Sequence, residues 1–512
     1  MGNTCTKARS EDGKTISDPG QLGANSDINS DENELMLKTT SNYEDTVDDH
    51  GQANPNRNAD ENIEENELTS MLKCMHHRID QLIDVKELMH REMMKGLSKD
   101  THNTADVKMY PTYVRATPDG TESGDFLALD IGGTNLRVLY VHISDKVVKQ
   151  IAETRHEIKD LKKVTGIQLF DYVAERLAEF MEKNGLKEKT LPLGFTFSFP
   201  YVQKGLTSAT LTAWSKDFEV SGVEGEDVYV LLQEAIKRRG DISVNVLAVI
   251  NDTTGTLMSC AFEHHDCVAG LILGTGTNAC YIEKLENVDI WDGDTLPPQQ
   301  IIINTEWGAF GDRDADGNGG VLEHLITEYD DEINRSTVND GKHIFEKMTS
   351  GMYLGEIVRL ILVKLTKAGV IFNGNITDDL ETKWIFKTKY ISYIEEDTSV
   401  NNEACKSIFK KFGLEIKDED CEKVKTVCSA VSSRAAKLLS AGIAAIVCQV
   451  GRKEVICGVD GSLYKYHPNI KTIMAETTKL LAPFMTVQYV ESSDGSGRGA
   501  AIVAAVAQRL KK

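Results

Sequence analysis

Asn251 and Asp252 directly follow the apolar run VNVLAVI, and their side chains have the chemistry of a binding and reacting site. In open α/β sheets, ligands gather beyond the carboxyl ends of the strands. A carboxylate at such a point either caps the next helix or accepts the proton of a hydroxyl that attacks a phosphoryl group. Considered alone, Asp252 is more typical of a helix cap or a turn residue.

Two glycine-rich turns carry groups that suit phosphates. Gly132, Gly133, Thr134 and Asn135 join two strand-like runs, and GTGTN at 274–278 repeats the device. Glycines there can adopt positive φ and leave backbone N–H groups exposed. Neither turn matches the GxxxxGK[ST] pattern or opens a helix, so neither is a P-loop or a dinucleotide-binding fingerprint. Together, the two turns predict a polyphosphate site held from both sides by hairpins.

Two further clusters, CGVDGSLYKYHP at 457–468 and SSDGSGRGAAIVAAV at 492–506, place glycine and serine between a strand-like and a helix-like run. The free N–H groups of a helix N-terminus and the helix dipole stabilise anions. We therefore expect both clusters to contribute to a nucleotide pocket.

The elements that must position these turns alternate between strand-like and helix-like runs. Strand-like FLALDI, LRVLYVHI, LPLGFTFSF, VNVLAVI and VAGLIL lie among helix-like LFDYVAERLAEFMEK and VYVLLQEAIKRR. This alternation favours an α/β fold with mixed or parallel sheets. The strand–turn–strand pattern at 126–143 recurs at 268–285, which indicates two related lobes facing each other across a cleft, although similar hairpins can also arise independently.

The N-terminal part of the chain differs in composition. Residues 1–60 are acidic and polar, and we expect them to be disordered. An apolar period close to 3.6 residues from Glu61 to Leu97 predicts one or two amphipathic helices. The opening MGNTCTK matches M-G-x-x-x-[ST], so Gly2 is a candidate for N-myristoylation and Cys5 for palmitoylation. The alternative is an unmodified polar terminus.

Charge and composition exclude several classes of protein. A net charge of −22 argues against nucleic acid as a partner, because phosphate backbones attract basic surfaces. We find neither an uninterrupted apolar run of about 18 residues nor a secretory leader. The ten cysteines are scattered without a CxxC pair, which is typical of reduced thiols. These features predict a cytoplasmic protein, tethered to a membrane if Gly2 and Cys5 are acylated.

Nine ordered segments carry a specific resemblance to a known family: LALDIGGTNLRV, LGFTFSFP, VINDTTGT, GTGTNACY, NTEWGAFGD, FEKMTSGMYLGE, SSRAAKLLSAGIAAI, GVDGSLYKYHP and SDGSGRGAA. From about residue 62 to its C-terminus, the chain resembles a single-unit, eukaryotic-type member of the hexokinase family. The resemblance implies a two-lobed, actin-like (ribonuclease-H-like) α/β fold with an interlobe cleft. It divides the chain into 61–265 and 266–512, with the N-terminal and C-terminal helices crossing between the lobes.

The resemblance also implies a reaction: ATP with Mg²⁺ phosphorylates hexoses, chiefly D-glucose, in the entry step of glycolysis. Asp252 is the implied general base, and Lys216 the cation that orients the sugar and stabilises the moving phosphoryl group. The implied hexose-binding residues are Ser198, Ser215, Lys216, Asn251, Asp252, Asn278, Glu306 and Glu346.

The implied nucleotide-binding residues are Asp130, Gly132, Gly133, Thr134, Asn135, Arg137, Thr275, Gly458, Asp460, Gly461, Ser462 and Ser496. Asp130 is expected to reach Mg²⁺ and phosphate indirectly, and no side chain is expected to bind the metal directly. Arg137 is equally suited to a structural ion pair.

Two departures from the family pattern and two other functions remain open at this stage. His343 stands where glutamine is typical, which affects one polar contact near Glu346, and Ser215 replaces the commoner threonine while keeping the hydroxyl. One alternative is a catalytically silent sugar sensor or scaffold, against which the retention of Asp252 and Lys216 argues. The other is a non-kinase ATPase of the same fold, against which the sugar-binding segments argue.

The segment DRDADGNGGVLE at 312–323 has the ligand spacing of an EF-hand calcium loop. The matching positions are Asp312, Asp314, Asp316, Gly317 and Glu323. A glycine-rich segment precedes it where an EF-hand has a helix, and Gly319 replaces the usual aliphatic residue. We expect a solvated turn rather than a calcium site.

Overall fold

The computed structural model describes residues 67–216, 218–314, 316–492 and 494–511. The predicted disordered segment 1–60, with Gly2 and Cys5, lies outside the described residues. The strands are β1 Tyr110–Pro111, β2 Gly124–Ile131, β3 Asn135–Ser144, β4 Val147–Glu157, β5 Leu191–Phe197, β6 Tyr201–Val202, β7 Thr210–Leu211, β8 Val244–Ile250, β9 Cys267–Leu273, β10 Thr277–Lys284, β11 Gln300–Asn304, β12 Glu454–Asp460 and β13 Thr486–Glu491. The helices are α1 Ile79–Leu97, α2 Gly166–Lys183, α3 Val228–Arg239, α4 Asp252–Glu263, α5 Glu328–Ser336, α6 Ile344–Thr349, α7 Leu354–Lys367, α8 Asp378–Glu381, α9 Thr388–Glu396, α10 Glu403–Lys411, α11 Asp418–Val450, α12 Ser462–Tyr466, α13 Ile470–Leu481 and α14 Gly495–Leu510.

The first lobe is built on a five-stranded sheet with the order β4-β3-β2-β5-β8. Strands β2, β3 and β4 form an antiparallel meander, and β5 and β8 extend the sheet in parallel with β2. The last residues of β2, β5 and β8 are buried in continuous runs because helices cover both faces of the sheet.

The second lobe repeats this plan. Its sheet has the order β1-β11-β10-β9-β12-β13, and apart from the short edge strand β1 the order and pairing sense match those of the first sheet. In each lobe the five strands, numbered along the chain, lie in the spatial order 3-2-1-4-5. The two recurring hairpins are β2–β3 and β9–β10, at equivalent places in the two sheets, which confirms the prediction of two related lobes.

Helices α4 and α14 lie side by side between the two sheets. Helix α14 packs on β2, β5 and β8, whereas α4 packs on β9 and β12. Glycines allow this close approach, since a Cβ on Gly499 would overlap the backbone of Gly255 in α4. The contacts of Gly255 with Gly495, Ser496 and Gly499 bring the starts of the two helices together.

Helices α2 and α3 cover the outer face of the first sheet, and α1 and α13 pack against the long helix α11 in the second lobe. The chain thus has its described N-terminal helix on the second lobe and its C-terminal helix on the first. The predicted boundary between 61–265 and 266–512 stays a prediction. Within the described part of the region from Glu61 to Leu97, the prediction of one or two helices is confirmed: 67–72 is helical and continues into a 3-10 turn, Lys73–Met75, and α1 follows after residues 76–78.

Helix α11 is long and apolar enough to cross a membrane by length and composition alone. However, 83% of its most apolar window is buried inside the protein, where it packs against α1, α7, α9 and α13. Its apolar composition is that of a core helix.

Candidate active site

Two cavities meet between the lobes, and we call them the inner pocket and the glycine-rich cleft. The inner pocket is lined by Ser198, Phe199, Pro200, Ser215, Lys216, Asn251, Asp252, Ile272, Gly276, Thr277, Asn278, Glu306, Gly308, His343 and Glu346. The structure therefore brings together all eight residues implied to bind the hexose. Of the additional residues, Gly276 and Thr277 belong to the second glycine-rich turn, and His343 is the departure from the family pattern. The others, such as Phe199, have no chemical signal in sequence that separates them from core or loop residues.

Asn251 and Asp252, at the junction of β8 and α4, have different roles: Asn251 caps the helix, and Asp252 faces the cavities. The Asn251 side chain caps α4, since its Oδ1 accepts hydrogen bonds from Thr253 N at 3.0 Å and Thr253 Oγ1 at 2.8 Å. Asp252 is the first residue of the helix, and it lines both cavities. Burial raises the pKa of Asp252, whereas Lys216 lowers it and Asp130 raises it further. A raised pKa makes the ionised carboxylate a stronger proton acceptor.

Lys216 also lines both cavities. Its backbone is in the left-handed region with φ 59°, which is unusual for a long side chain and typical of functional sites. The ammonium group donates to the carbonyl oxygen of Ser198 at 2.6 Å. A Cβ on Gly133 would lie 2.9 Å from Lys216 Cδ, so the glycine leaves room for this side chain.

Glu306 lies in an irregular segment just after β11, with a left-handed φ of 51°. Its Oε1 accepts hydrogen bonds from Asn304 Nδ2 at 2.8 Å and Asn278 Nδ2 at 3.1 Å. Burial raises the pKa of Glu306 to about 7, Asn304 opposes the rise, and the charge of Asp252 adds to it. This carboxyl group therefore changes its charge near neutral pH.

Glu346 is carried into the pocket by the short helix α6. Its Oε2 accepts a hydrogen bond from Thr277 N at 3.0 Å, and a Cβ on Gly276 would occupy the same space. His343, the departure from the family pattern, immediately precedes α6 and lines the pocket with a left-handed φ of 56°. Burial lowers the pKa of His343, so its imidazole is neutral at pH 7.

The glycine-rich cleft has a volume of about 490 Å³. It is lined by Asp130, Gly132, Gly133, Thr134, Asn135, Arg137, Gln150, Glu153, Arg155, Ser198, Lys216, Asp252, Ile272, Gly274, Thr275, Gly276, Asp460, Gly461, Ser462, Asp494 and Ser496. Eleven of the twelve residues implied to bind the nucleotide are in this set. Gly458 is not: it lies inside β12, where a Cβ would be 2.6 Å from Cys260 Cβ, so close packing of α4 on the sheet accounts for the glycine.

The expectation of positive φ in the two glycine-rich turns was wrong. Gly132, Gly133, Gly274 and Gly276 all lie outside the left-handed region. The physical reason for glycine at two of these positions is space: Gly133 makes room for Lys216, and Gly276 for Glu346. Gly461 differs, since its φ is +126° and a Cβ there would overlap the carbonyl oxygen of Leu273.

Arg137 forms the structural ion pair that was the alternative interpretation of its sequence. Its guanidinium donates to Asp130 Oδ2 at 2.7 and 3.0 Å, to Ser496 Oγ at 2.7 Å and to Asp494. Ser496 Oγ also donates to Asp130 Oδ2 at 2.9 Å. The network ties β2 and β3 to the start of α14 and fixes one wall of the cleft.

Sequence reasoning did not identify Asp494, nor Gln150, Glu153 and Arg155 of β4, as cleft residues. Asp494 lies inside the SSDGSGRGAA segment, so its place before a helix was an available signal. The three β4 residues belong to a polar edge strand without glycine or a motif. Only the pairing of β4 with β3 brings them to the cleft.

A third cavity, the side cavity, has a volume of about 910 Å³. It shares Gly274, Thr275 and Ser462 with the glycine-rich cleft, so the two are adjacent. Its walls come largely from α9 and α12. Sequence analysis did not assign the α9 wall, because its helical pattern carries no motif.

The loop at 312–323 uses its carboxylates within the protein. Asp312 is largely buried rather than solvated, and its Oδ1 accepts a hydrogen bond from Ile344 N at 3.3 Å, at the start of α6. Burial raises the pKa of Asp312 to about 7. The Asp314 carboxylate accepts from Asp316 N and Asn318 N, and Glu323 pairs with Arg313. Within the described ranges, no cluster of three or more His, Cys, Asp or Glu side chains is arranged to hold a metal ion.

Comparison with known proteins agrees with this geometry. Two hexokinase family models match residues 67–262 and 268–506. Hexokinase-2 of Homo sapiens is 47% identical over 443 residues, which cover 85% of this chain and 47% of the relative. Hexokinase-1 of Homo sapiens is 46% identical over 452 residues, which cover 86% of this chain and 48% of the relative. The chain thus spans about half the length of the curated relatives it matches. The solved structure of the hexokinase from Schistosoma mansoni complexed with glucose is 41% identical, with a TM-score of 0.81 over 88% of this chain and 100% of that one.

Proposed function

The chain belongs to the hexokinase family, and we propose that it transfers the γ-phosphoryl group of ATP to a hexose, chiefly D-glucose, in the entry step of glycolysis. One observation carries the proposal: the inner pocket and the glycine-rich cleft meet at Ser198, Lys216 and Asp252, which line both. A hydroxyl of a sugar in the pocket would then lie next to a phosphate in the cleft. Asp252 is in place to accept the proton of that hydroxyl, and Lys216 to stabilise the charge that moves between the two substrates.

The chemistry of the inner pocket supports a sugar as the acceptor. Carboxylates and amides converge there, and a pocket of this kind rejects analogues that leave its polar groups unpaired. Glu306 is suited to accept hydrogen bonds from two adjacent hydroxyls, and Glu346 and Asn278 offer further partners. The Schistosoma mansoni relative, which carries glucose in its solved structure, makes glucose the first candidate.

The residues of the cleft fit a magnesium-bound polyphosphate held without a direct protein ligand to the metal. Asp130 Oδ2 already accepts three hydrogen bonds from Arg137 and Ser496, and Asp460 accepts from Gly461 N and Gly495 N. These carboxylates are therefore placed to contact the magnesium ion through water molecules rather than directly. Mg²⁺ bound with the nucleotide would neutralise charge on the phosphates. We place the adenosine in the side cavity, which adjoins the cleft at Thr275 and Ser462.

A coupled assay for glucose 6-phosphate tests the proposal. The purified chain should produce sugar phosphate in the presence of ATP, Mg²⁺ and glucose, and its ATP hydrolysis without sugar should be far slower. Glucose binding without product would instead favour the silent sensor, and sugar-independent hydrolysis would favour a non-kinase ATPase. The same assay over a panel of hexoses defines the acceptor range.

We also propose that Gly2 is myristoylated and Cys5 palmitoylated, which supports reversible membrane association of an otherwise cytoplasmic enzyme. One myristoyl chain holds a protein only marginally, so the second acyl group matters. Metabolic labelling with a myristate analogue should mark the full-length chain but not Gly2→Ala. Unlabelled wild-type protein would contradict the proposal.

A further inference from the structure

The side cavity is bounded by two helices that are distant in sequence. Helix α9 contributes Thr388, Ser392 and Tyr393 to the lining, and α12 contributes Lys465 and Tyr466. The relative position of these helices determines the width of the cavity. Because α12 has only five residues, its own backbone hydrogen bonds hold it weakly and other contacts must fix it.

A buried acid–base pair joins the two helices behind the cavity. Glu395, near the end of α9, and His467, directly after α12, approach to 3.4 Å between Oε1 and Nε2. Their side chains are 2% and 0% exposed, respectively, so neither reaches a substrate in the cavity. His467 Nδ1 accepts a hydrogen bond from Asn469 N at 3.2 Å, which leaves the ring proton on Nε2, the nitrogen that lies 3.4 Å from Glu395 Oε1.

Glu395 is fixed from two further sides. Ser432 Oγ, on the core helix α11, donates to its Oε1 at 2.7 Å, and Asn469 Nδ2 donates to its Oε2 at 2.8 Å. Although burial opposes ionisation, the contact with His467 and the hydrogen bonds from Ser432 and Asn469 lower the pKa of Glu395, so the carboxylate is ionised at neutral pH. The pair thereby fastens both walls of the cavity to the helix at the centre of the lobe.

The other end of α9 is anchored to the glycine-rich cleft. Thr388 Oγ1 donates to the carbonyl oxygen of Gly351 at 2.6 Å, and Gly351 N donates to that of Gly274 at 2.9 Å. Helix α9 is therefore held at its start by the phosphate end of the site and at its end by His467.

We propose that the Glu395–His467 pair is a positioning element for the adenine nucleotide: it fixes α9 against α12 and so sets the affinity of the side cavity for the nucleoside of ATP. The inference rests on the proposed function, because it requires the nucleotide to extend from the cleft into this cavity. The pair touches neither the inner pocket nor Asp252, so sugar binding and proton transfer are independent of it.

The test replaces His467 with phenylalanine, which keeps a ring but removes both nitrogens, and Glu395 with glutamine, which keeps the shape but removes the charge. Each full-length variant is assayed for kcat, for KM for ATP and glucose, and for ADP binding by calorimetry. Loss of a buried charge-assisted contact should raise KM for ATP and Kd for ADP by about five- to tenfold. The kcat and KM for glucose should change less than about twofold. His467→Gln, which keeps a donor toward Glu395, should recover part of the nucleotide affinity.

The matched control is Asp330→Asn, which weakens another buried ion pair of the same lobe, Asp330 with Arg434, away from all three cavities. It should lower the melting temperature without changing KM for ATP. If His467→Phe and Glu395→Gln also lower only the melting temperature, or impair glucose and ATP equally, the inference is overturned. If the wild-type chain neither binds ADP nor phosphorylates glucose, the proposed function fails instead.

Discussion

At the scale of single residues, the site depends on a division of labour between neighbours. Asn251 takes the capping role that sequence reasoning assigned to Asp252 as the more common alternative. Asp252 is thereby left at the boundary between two cavities, with Lys216 and Asp130 acting in opposite directions on its pKa. Sequence could place the carboxylate after a strand, but it could not identify which of two adjacent side chains caps the helix.

Glu306 provides a pH-dependent prediction at this scale. With a pKa of about 7, the free carboxyl group is roughly half protonated at neutral pH. Sugar hydroxyls donate to the ionised form, so glucose binding should lower this pKa and release about half a proton at pH 7. Calorimetry in two buffers of different ionisation enthalpy measures this release.

The control for that measurement is Glu306→Gln, which has no proton to release and should bind glucose more weakly with buffer-independent heat. Proton uptake by the wild-type chain, or no buffer dependence, would contradict the assigned role. Below pH 7, glucose affinity should fall as the carboxyl group becomes protonated.

At the scale of elements, apolar patterning predicted the central strands β2, β3, β5, β8 and β9 and the helices α2 and α3. The reasons for the glycines did not follow from it. The turns after β2 and β9 lie where predicted, yet none of their four glycines adopts positive φ, and two of them, Gly133 and Gly276, make room for Lys216 and Glu346. Such close approaches are tertiary, and one chain segment cannot reveal which distant side chain will need the space. For the same reason, the sequence did not predict that the polar edge strand β4 lines the cleft.

The loop at 312–323 supports a prediction about α6. Asp312 binds the backbone at the start of the helix that carries Glu346. Asp312→Ala removes this cap, which typically costs about 1 kcal/mol, and we expect KM for glucose to rise about fivefold while KM for ATP stays the same. Steady-state kinetics with each substrate varied in turn measures both values.

Asp314→Ala is the matched control, because its carboxylate binds only backbone and side chain of its own loop in the described structure. It should leave KM for glucose unchanged. An equal effect of both replacements would show that the loop acts as a whole, and an unchanged KM in Asp312→Ala would remove its positioning role.

At the scale of the whole molecule, two sheets of the same plan place their hairpins on opposite sides of one cleft. The repeated strand–turn–strand pattern in the sequence indicated two related lobes but left independently arising hairpins as an alternative. The matching strand order of the two sheets decides between them. The pairing of α4 with α14 between the sheets could not be read in this way, since it depends on glycine contacts between distant segments. That pairing brings the starts of both helices, and with them Asp252 and Ser496, to the same cleft.

The most direct test of the account is the turnover of Asp252→Ala measured together with its glucose affinity. If Asp252 accepts the proton of the attacking hydroxyl, kcat should fall by about 10²- to 10⁴-fold. Glucose should still bind, because Asn278, Glu306 and Glu346 remain in the inner pocket. Turnover within tenfold of the wild-type value, with glucose still bound, would contradict the assignment of Asp252 as the base.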